Sequence, residues 1–233
     1  MNIYWGEAHD NTYQFPARGA DRRPSPIERA LRAAASHLDF YCAAYYTAEA
    51  PAFEEGGHPS ERSQSPCLIL EGWKPEEKMA AEWSEVQDAT RAFNEPGRFV
   101  AFPGYEWQGD GSSGDHNVFF RREGGAIHRV DTLRDLYDRL RGSEAIAIPH
   151  HTAYRPGVRG RDWSVYDGRQ TPFSEIYSVH GCSETDEEWV GMRQNSHMGP
   201  ASAPGTYQSA LDRGLRLGAI CSTDNWGDMP GHY

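Results

Sequence analysis

Short apolar runs alternate with amphipathic segments along most of this chain, and the apolar runs predict buried strands. The central run is Phe99-Val100-Ala101-Phe102, which Pro103-Gly104 ends, so that Glu106 and Trp107 follow just beyond it. A glycine-rich turn at 108–115 then predicts a reversal into a second strand at 116–120. Further strands are predicted at 2–9, 39–46, 145–149, 173–179 and 217–221.

The amphipathic segments predict helices. Ser25-Pro26 followed by Glu28 matches a capping box with proline at the first helical position, and apolar residues then recur at helical spacing to about His37. Proline and glycine residues mark where the later helices begin and end. These are predicted at 75–95, 132–142, 184–195 and 209–213.

This alternation predicts an α/β chain with parallel strand pairing, in a single domain over 1–233. Residues 47–74 are rich in Pro, Gly, Ser and Glu, so they predict a long surface insertion, of a length that is often functional. In α/β barrels, catalytic groups gather at the carboxyl ends of the strands. The predicted strand ends here bear His9, Glu106, His150, His180 and Asp224.

These strand-end residues predict a metal site. A single His at a strand end is more often hydrogen-bonded or solvated than a ligand, but five ends in succession with only His, Glu or Asp are not explained by packing. Imidazole and carboxylate together suit Zn, Mn or Fe, and the absence of cysteine ligands argues against a structural zinc. The remaining histidines in helix-end or loop contexts are assigned no role; they are His37, His58, His128 and His197.

Composition excludes some partners. The net charge of -11 leaves no basic stripe for nucleic-acid phosphates. No apolar run approaches the roughly 20 residues of a membrane span, and the sequence starts without the pattern of a signal peptide. Four scattered cysteines favour reduced thiols in a cytoplasmic protein. The expected partner is a small, anionic substrate, and the oligomeric state is left open.

Several motifs give the chain a family resemblance. They are Trp5-Gly6-Glu7-Ala8-His9, Pro103 to Trp107, His116-Asn117-Val118, Ile148 to Thr152, Glu175 to Glu184 and Ser222 to Asn225. In these motifs the chain resembles the PHP (polymerase and histidinol phosphatase) superfamily. The resemblance implies a distorted TIM-like (β/α)7 barrel, truncated here at the C-terminus, with a metal cluster that hydrolyses phosphoesters. It also implies that His9, Glu106, His150, His180 and Asp224 bind metal, with Glu106 bridging two ions.

The chain departs from the superfamily pattern at three places. Asn11, Tyr45-Tyr46 and Trp226 stand where the pattern has His, Asp-His and His. The resemblance therefore implies at most two ions per chain, with Asn11 as a weak neutral ligand to the first. The site is either a reduced working centre or a decayed one.

The leading hypothesis is a metal-dependent phosphoesterase. His116 and His151 are candidates to protonate a leaving group or orient a ligand. Arg155 either pairs with substrate phosphate or is a solvated loop residue. Glu7 either accepts a proton from His9 or binds an ion itself, and Glu184 and His232 are weaker candidates. The alternatives are hydrolysis of an amide or ester bond, and a non-catalytic binding module.

Overall fold

The computed structural model describes residues 2–14, 24–49, 72–192, 201–225 and 230–231. Its largest element is a six-stranded mixed sheet in the order β1-β2-β4-β5-β6, with β3 also beside β2. Strands β1 to β4 pair in parallel, whereas β5 is antiparallel to both of its neighbours. The strands are β1 (Gly6–Thr12), β2 (Phe40–Tyr46), β3 (Val100–Phe102), β4 (Gly104–Trp107), β5 (His116–Phe120) and β6 (Ala145–Pro149).

A second sheet has three strands in the order β8-β7-β9. They are β7 (Phe173–Ser178), β8 (Gly181–Cys182) and β9 (Gly218–Cys221). The segment after β9 returns to the first sheet, where the Asn11 amide donates a 2.7 Å hydrogen bond to the Asn225 carbonyl. The two sheets therefore meet along β1.

Four α-helices form in the described residues: α1 (Pro26–Ala34), α2 (Glu76–Phe93), α3 (Leu133–Leu140) and α4 (Tyr207–Asp212). The predicted capping box is confirmed, because the Ser25 side chain accepts from the Glu28 amide and the Glu28 side chain accepts from the Ser25 amide. The predicted helix at 184–195 does not form over 184–192. There the Cys182 amide bonds to the Val190 carbonyl at 3.0 Å, which holds the segment back against β8.

The two faces of the large sheet differ because strand side chains alternate between them. Tyr41, Tyr105 and Trp107 pack with α1, α2 and α3 in the main core. The opposite face has a smaller apolar cluster that includes Cys42, Phe119 and Ile148. Glu106 lies between Tyr105 and Trp107 in β4, so it points to this second face, away from the helices.

The predicted (β/α)7 barrel is wrong. The described chain forms two mixed sheets without a closed barrel. A parallel barrel needs a helical crossover between successive strands. The glycine-rich turn instead reverses β4 directly into β5, and Gly114 takes a φ of 80° within it.

Some predicted features cannot be compared with the structure. Most of the predicted insertion at 47–74 lies outside the described residues, as do His58, His197, Trp226 and His232. In the part of the chain that is described, no helix is both long enough and apolar enough to cross a membrane.

Candidate metal centre

His9 is the centre of the first group of metal-type ligands. It is fully buried in β1, between the two sheets. Its Nδ1 lies 2.9 Å from Glu175 Oε2 in β7, and its Nε2 lies 3.1 Å from Asp224 Oδ1 after β9. One imidazole therefore contacts two buried carboxylates, one in β7 and one in the segment after β9.

His150 completes this group. Its ring lies 4.2 Å from the His9 ring, centroid to centroid. His9, His150, Glu175 and Asp224 each offer a ligand atom within 4.8 Å of the others. Neither ring nitrogen of His150 has a hydrogen-bond partner among the described residues, although the side chain is buried. Buried polar atoms are rarely left without partners, so this pair of nitrogens fits a bound ion.

A second group shares Asp224. Its other oxygen, Oδ2, lies 3.3 Å from His180 Nε2, and the rings of His151 and His180 lie 4.8 Å apart. The Tyr154 hydroxyl is 2.8 Å from His180 Nδ1 and fixes the orientation of that ring. Asp224 thus presents one oxygen to each group, which is the arrangement of a bridging carboxylate.

A third group consists of Asp115, His150 and His151. His151 Nε2 lies 3.3 Å from Asp115 Oδ2. The same oxygen accepts a 2.7 Å hydrogen bond from Arg159 Nε and contacts Arg159 Nη2. This group therefore already contains a buried guanidinium.

Glu106 lies between the first and third groups. Its Oε2 is 3.9 Å from His9 Nε2 and has no hydrogen-bond partner within the described chain. Its Oε1 accepts from Gln108 at 2.9 Å and lies 3.8 Å from Arg159 Nη2. Bridging of two ions by Glu106 stays a prediction, since the geometry favours Asp224 for that place.

The electrostatics of the cluster depend on burial and on the neighbouring charges. Burial lowers the pKa of His9, but Asp224 and Glu175 outweigh it and hold the pKa well above its usual value. Burial raises the pKa of Asp224 well above its usual range, and Glu175 adds to this. Burial, with His9 and His151 nearby, holds the pKa of His150 well below its usual value. The lowered pKa keeps His150 neutral, and an imidazole binds a metal ion in that neutral form.

The backbone is constrained at three site residues. His151, Asp224 and Arg159 have φ values of 35°, 50° and 64°, in the left-handed region that non-glycine residues seldom adopt. Each such residue costs on the order of 1–3 kcal/mol, and these conformations cluster at functional sites. The surrounding structure holds these three side chains toward one another in spite of that cost.

Glu7 and Asn11 flank His9 in β1. Glu7 Oε1 accepts from the amides of His9 and Thr223, at 2.8 and 3.2 Å, and Oε2 accepts from the amide of Gly231. Glu7 therefore ties the backbone of β1 to the segment after β9. The side-chain Nδ2 of Asn11 donates to Asp224 Oδ1 at 3.2 Å, which places Asn11 beside the first group.

Other predicted residues lie apart from these groups. His116 packs near Trp107 and Tyr137 on the helix-facing side of the sheet, and its Nδ1 is 2.9 Å from the Gly114 carbonyl. Arg155 is exposed. Glu184 is exposed as well, in a loose group with Cys182 and Glu188.

Glu175, Asp115 and Arg159 are site residues to which the sequence analysis gave no role. Glu175 lies inside the apolar run of β7, and a carboxylate within a buried strand is itself a signal of function. Asp115 directly precedes β5, where it looked like part of the turn. Arg159 is buried four residues after the exposed Arg155, for which a phosphate contact or a solvated loop position was predicted.

The chain matches a family model, and its fold is similar to that of a solved structure. The family model described as "Protein of unknown function (DUF3604)" matches residues 33–159. A search of curated proteins finds no match. Among solved structures, the "Crystal Structure of PsfC from Pseudomonas syringae PB-5123" is 19% identical, with a TM-score of 0.51 over 96% of this chain and 77% of that chain. At this identity the likeness shows the fold alone.

These matches correct the family interpretation. They identify DUF3604 and a structure like that of PsfC, and they give no support to the PHP superfamily, so that interpretation of the motifs is wrong. The short motifs at the strand ends describe residue types that a metal site needs. They did not identify the family.

Proposed function

The chain belongs to the DUF3604 family, and from that premise we propose, on the geometry of its site, that it is a metal-dependent hydrolase. The observation that supports this most is the cluster around Asp224, in which four histidines and a second carboxylate fall into two groups whose ligand atoms lie within 4.8 Å of one another. Imidazole with carboxylate is the ligand set of hydrolytic Zn, Mn and Fe sites.

The residues fit two ions. His9, His150, Glu175 and Asp224 would hold one, and His151, His180 and Asp224 would hold the other. Neutral His150 has one ring lone pair to offer, and because its ring lies against both His9 and His151 it would bind an ion through one of its two unpaired nitrogens. Paired divalent ions generate a nucleophilic water at neutral pH and stabilise charge on the attacking and leaving oxygens.

The remaining side chains would position the substrate and the water. Glu106 Oε2 faces the cluster as a buried acceptor and would orient a water by accepting its hydrogen bond. Gln108 and Tyr46 fix the other end of this carboxylate, because Gln108 Nε2 donates to both Glu106 Oε1 and the Tyr46 hydroxyl at 2.9 Å. The Arg159 guanidinium adds a fixed positive charge beside Glu106 that favours an anionic substrate.

The substrate class proposed first is a small phosphoester. Asp224 presents one oxygen to each group, so two ions held there would together stabilise the negative charge of a tetrahedral phosphoryl anion. Amide and carboxylic ester bonds use the same ions to polarise a carbonyl, so the ligand set alone does not separate these bonds.

The test is a substrate panel on metal-loaded protein. The apo-protein is loaded with Mn2+, Zn2+ or Fe2+ and assayed on p-nitrophenyl phosphate, bis-p-nitrophenyl phosphate, p-nitrophenyl esters and p-nitroanilides. We expect phosphoester hydrolysis that is lost in Asp224→Asn and kept in His128→Ala, which removes an imidazole outside the three groups. Activity confined to esters or anilides would replace the phosphoester proposal. Full metal content without any hydrolysis would favour a binding module.

A further inference from the structure

Arg159 lies where the third group of metal-type ligands would hold a cation. Asp115, His150 and His151 offer ligand atoms within 4.8 Å of one another, and all three side chains are buried. Arg159 donates through Nε to Asp115 Oδ2 and contacts the same oxygen through Nη2; this oxygen also lies 3.3 Å from His151 Nε2. The guanidinium therefore supplies the positive charge that this buried carboxylate requires.

The surrounding structure holds the Arg159 side chain in this position. The residue is 8% exposed, and its amide donates a 2.9 Å hydrogen bond to the Gly111 carbonyl in the glycine-rich turn. Its φ of 64° is unfavourable for an arginine, so the chain accepts local strain to aim the side chain inward. Its Nη2 also lies 3.8 Å from Glu106 Oε1, which extends the positive charge toward the first group.

We infer that Arg159 fills a third cation position of the centre, so that the site takes two ions and one guanidinium. Asp115, His150 and His151 then form a latent metal site, which opens only when Arg159 is removed. Because His150 and His151 already serve the first and second ions, each would bind the third ion through its other ring nitrogen, after that nitrogen releases its proton to solvent. The inference rests on the proposed function for the two ions at the other groups. A guanidinium stays charged and cannot be removed by a chelator, so the charge at Asp115 does not depend on metal supply.

The experiment counts ions in matched variants. Wild type, Arg159→Met, Arg159→Lys and Arg155→Met are stripped, reloaded with Mn2+, freed of excess metal and analysed by plasma mass spectrometry. Arg155 is an exposed arginine four residues away, so Arg155→Met controls for the loss of a positive charge from this segment. We expect two ions in wild type, Arg155→Met and Arg159→Lys, and three in Arg159→Met.

A double variant tests the site itself. Asp115→Asn combined with Arg159→Met removes the buried pair together, so it leaves no uncompensated carboxylate and avoids the main reason for misfolding. It should hold two ions, because the third group has lost its carboxylate. Three ions in the double variant would show that Asp115 is not a ligand of the third ion and would overturn the inference.

The remaining outcomes separate the inference from the proposed function. A folded Arg159→Met protein with two ions, or a wild type with three, overturns the role of Arg159. If Arg159→Met does not fold, anomalous maps of Mn2+-soaked wild-type crystals decide: a peak between Asp115 and His151 refutes the inference, and peaks confined to the other two groups support it. Two ions without hydrolysis of any substrate in the panel overturn the hydrolase and leave the role of Arg159 standing. No bound ion in wild type overturns both.

Discussion

Two regions of this molecule bury charge, and they satisfy it in different ways. Lys74 is 2% exposed, yet its Nζ donates to Glu82 Oε2 at 3.0 Å and to the Tyr13 carbonyl at 2.9 Å. The ammonium also lies 4.5 Å from the centre of the Tyr45 ring, and the Tyr45 hydroxyl donates to the same Glu82 oxygen. This region supplies its own counter-charge and its own hydrogen bonds.

The metal centre, by contrast, is incomplete on its own. Glu106 Oε2, Glu175 Oε1 and both ring nitrogens of His150 lack hydrogen-bond partners in the described ranges, although all are buried. An unpaired buried polar group costs about 1–3 kcal/mol, and a charged one costs more. A buried network that is complete stabilises a fold, whereas an incomplete one indicates a ligand that the chain does not provide.

Among the tests of this contrast, Asp224→Asn should have the largest effect, on metal content and on hydrolysis rate. Asparagine has the same shape and tolerates the left-handed backbone, with its φ of 50°, so the variant should fold. Because Asp224 presents one oxygen to each group, both ions should be lost, and the hydrolysis rate should fall by at least about 100-fold. Metal content and rate are measured on the same sample.

The matched control for this variant lies in the complete region. Lys74→Met removes a buried charge that contacts Glu82, Tyr13 and Tyr45 instead of the proposed ligands, so it should leave metal content and hydrolysis rate at the wild-type level. A loss of metal in Lys74→Met equal to that in Asp224→Asn would mean that the two regions are not separate.

Metal removal should destabilise the protein through the metal centre alone. A ligand at 100 times its dissociation constant adds about 2.7 kcal/mol to the free energy of unfolding. For a chain of this size that corresponds to roughly 5–10 °C in the melting temperature. We expect EDTA to lower the melting temperature of wild type and of Lys74→Met by this amount, and to leave that of Asp224→Asn unchanged. An equal EDTA effect on Asp224→Asn would place the stabilising ion elsewhere.

Removing Lys74 should give a smaller loss of stability that metal does not restore. Glu82 is partly exposed and can regain water, so Lys74→Met should cost about 2 kcal/mol, below the range for a fully buried pair. Lys78→Met is the control, because Lys78 is 48% exposed and lies 3.8 Å from Glu49, an arrangement that contributes little. Urea unfolding midpoints at one pH compare the two variants. A Lys78→Met midpoint as low as that of Lys74→Met would contradict the assignment.

The sequence predicted the local features of this fold better than its architecture. The capping box at Ser25 and the strands β2, β5 and β6 follow from neighbouring residues, and the structure has them. The glycine-rich turn predicted the reversal of β4 into β5, and the structure has this antiparallel pair. Strand direction otherwise depends on distant pairing, so the alternation of strands and helices did not reveal that β5 also runs antiparallel to β6.

Dependence on distant pairing also limited the prediction of the site residues. His9, His150, His180 and Asp224 come together because each follows or lies within a strand whose end faces the junction of the sheets. The role of His116 depended on strand register, which places Asn117, not His116, opposite Glu106. Side chains directly opposite each other share a face, so His116 points toward the helices. Local sequence did not fix that register.

The smallest expected effect is a change with pH in the contribution of Lys74 to the free energy of unfolding. Burial lowers the pKa of Lys74 to about 8, and Glu82 opposes this only in part. Between that value and the ordinary lysine pKa, the unfolded state binds more protons than the folded state, so the Lys74 contribution to stability increases with pH.

The free energy of unfolding of wild type, minus that of Lys74→Met, should therefore rise between pH 8 and 9.5, by on the order of 1–2 kcal/mol. Taking the difference removes the contributions of the buried tyrosines and of Cys42, which both proteins share. Below pH 8 the difference should be flat, because Lys74 is then protonated in both states. Urea unfolding at pH 7, 8, 9 and 9.5 tests this, and a difference that falls as pH rises would show that Glu82 and Tyr45 hold the ammonium charged. The region would then resemble a conventional ion pair, and its contrast with the metal centre would rest on hydrogen bonding alone.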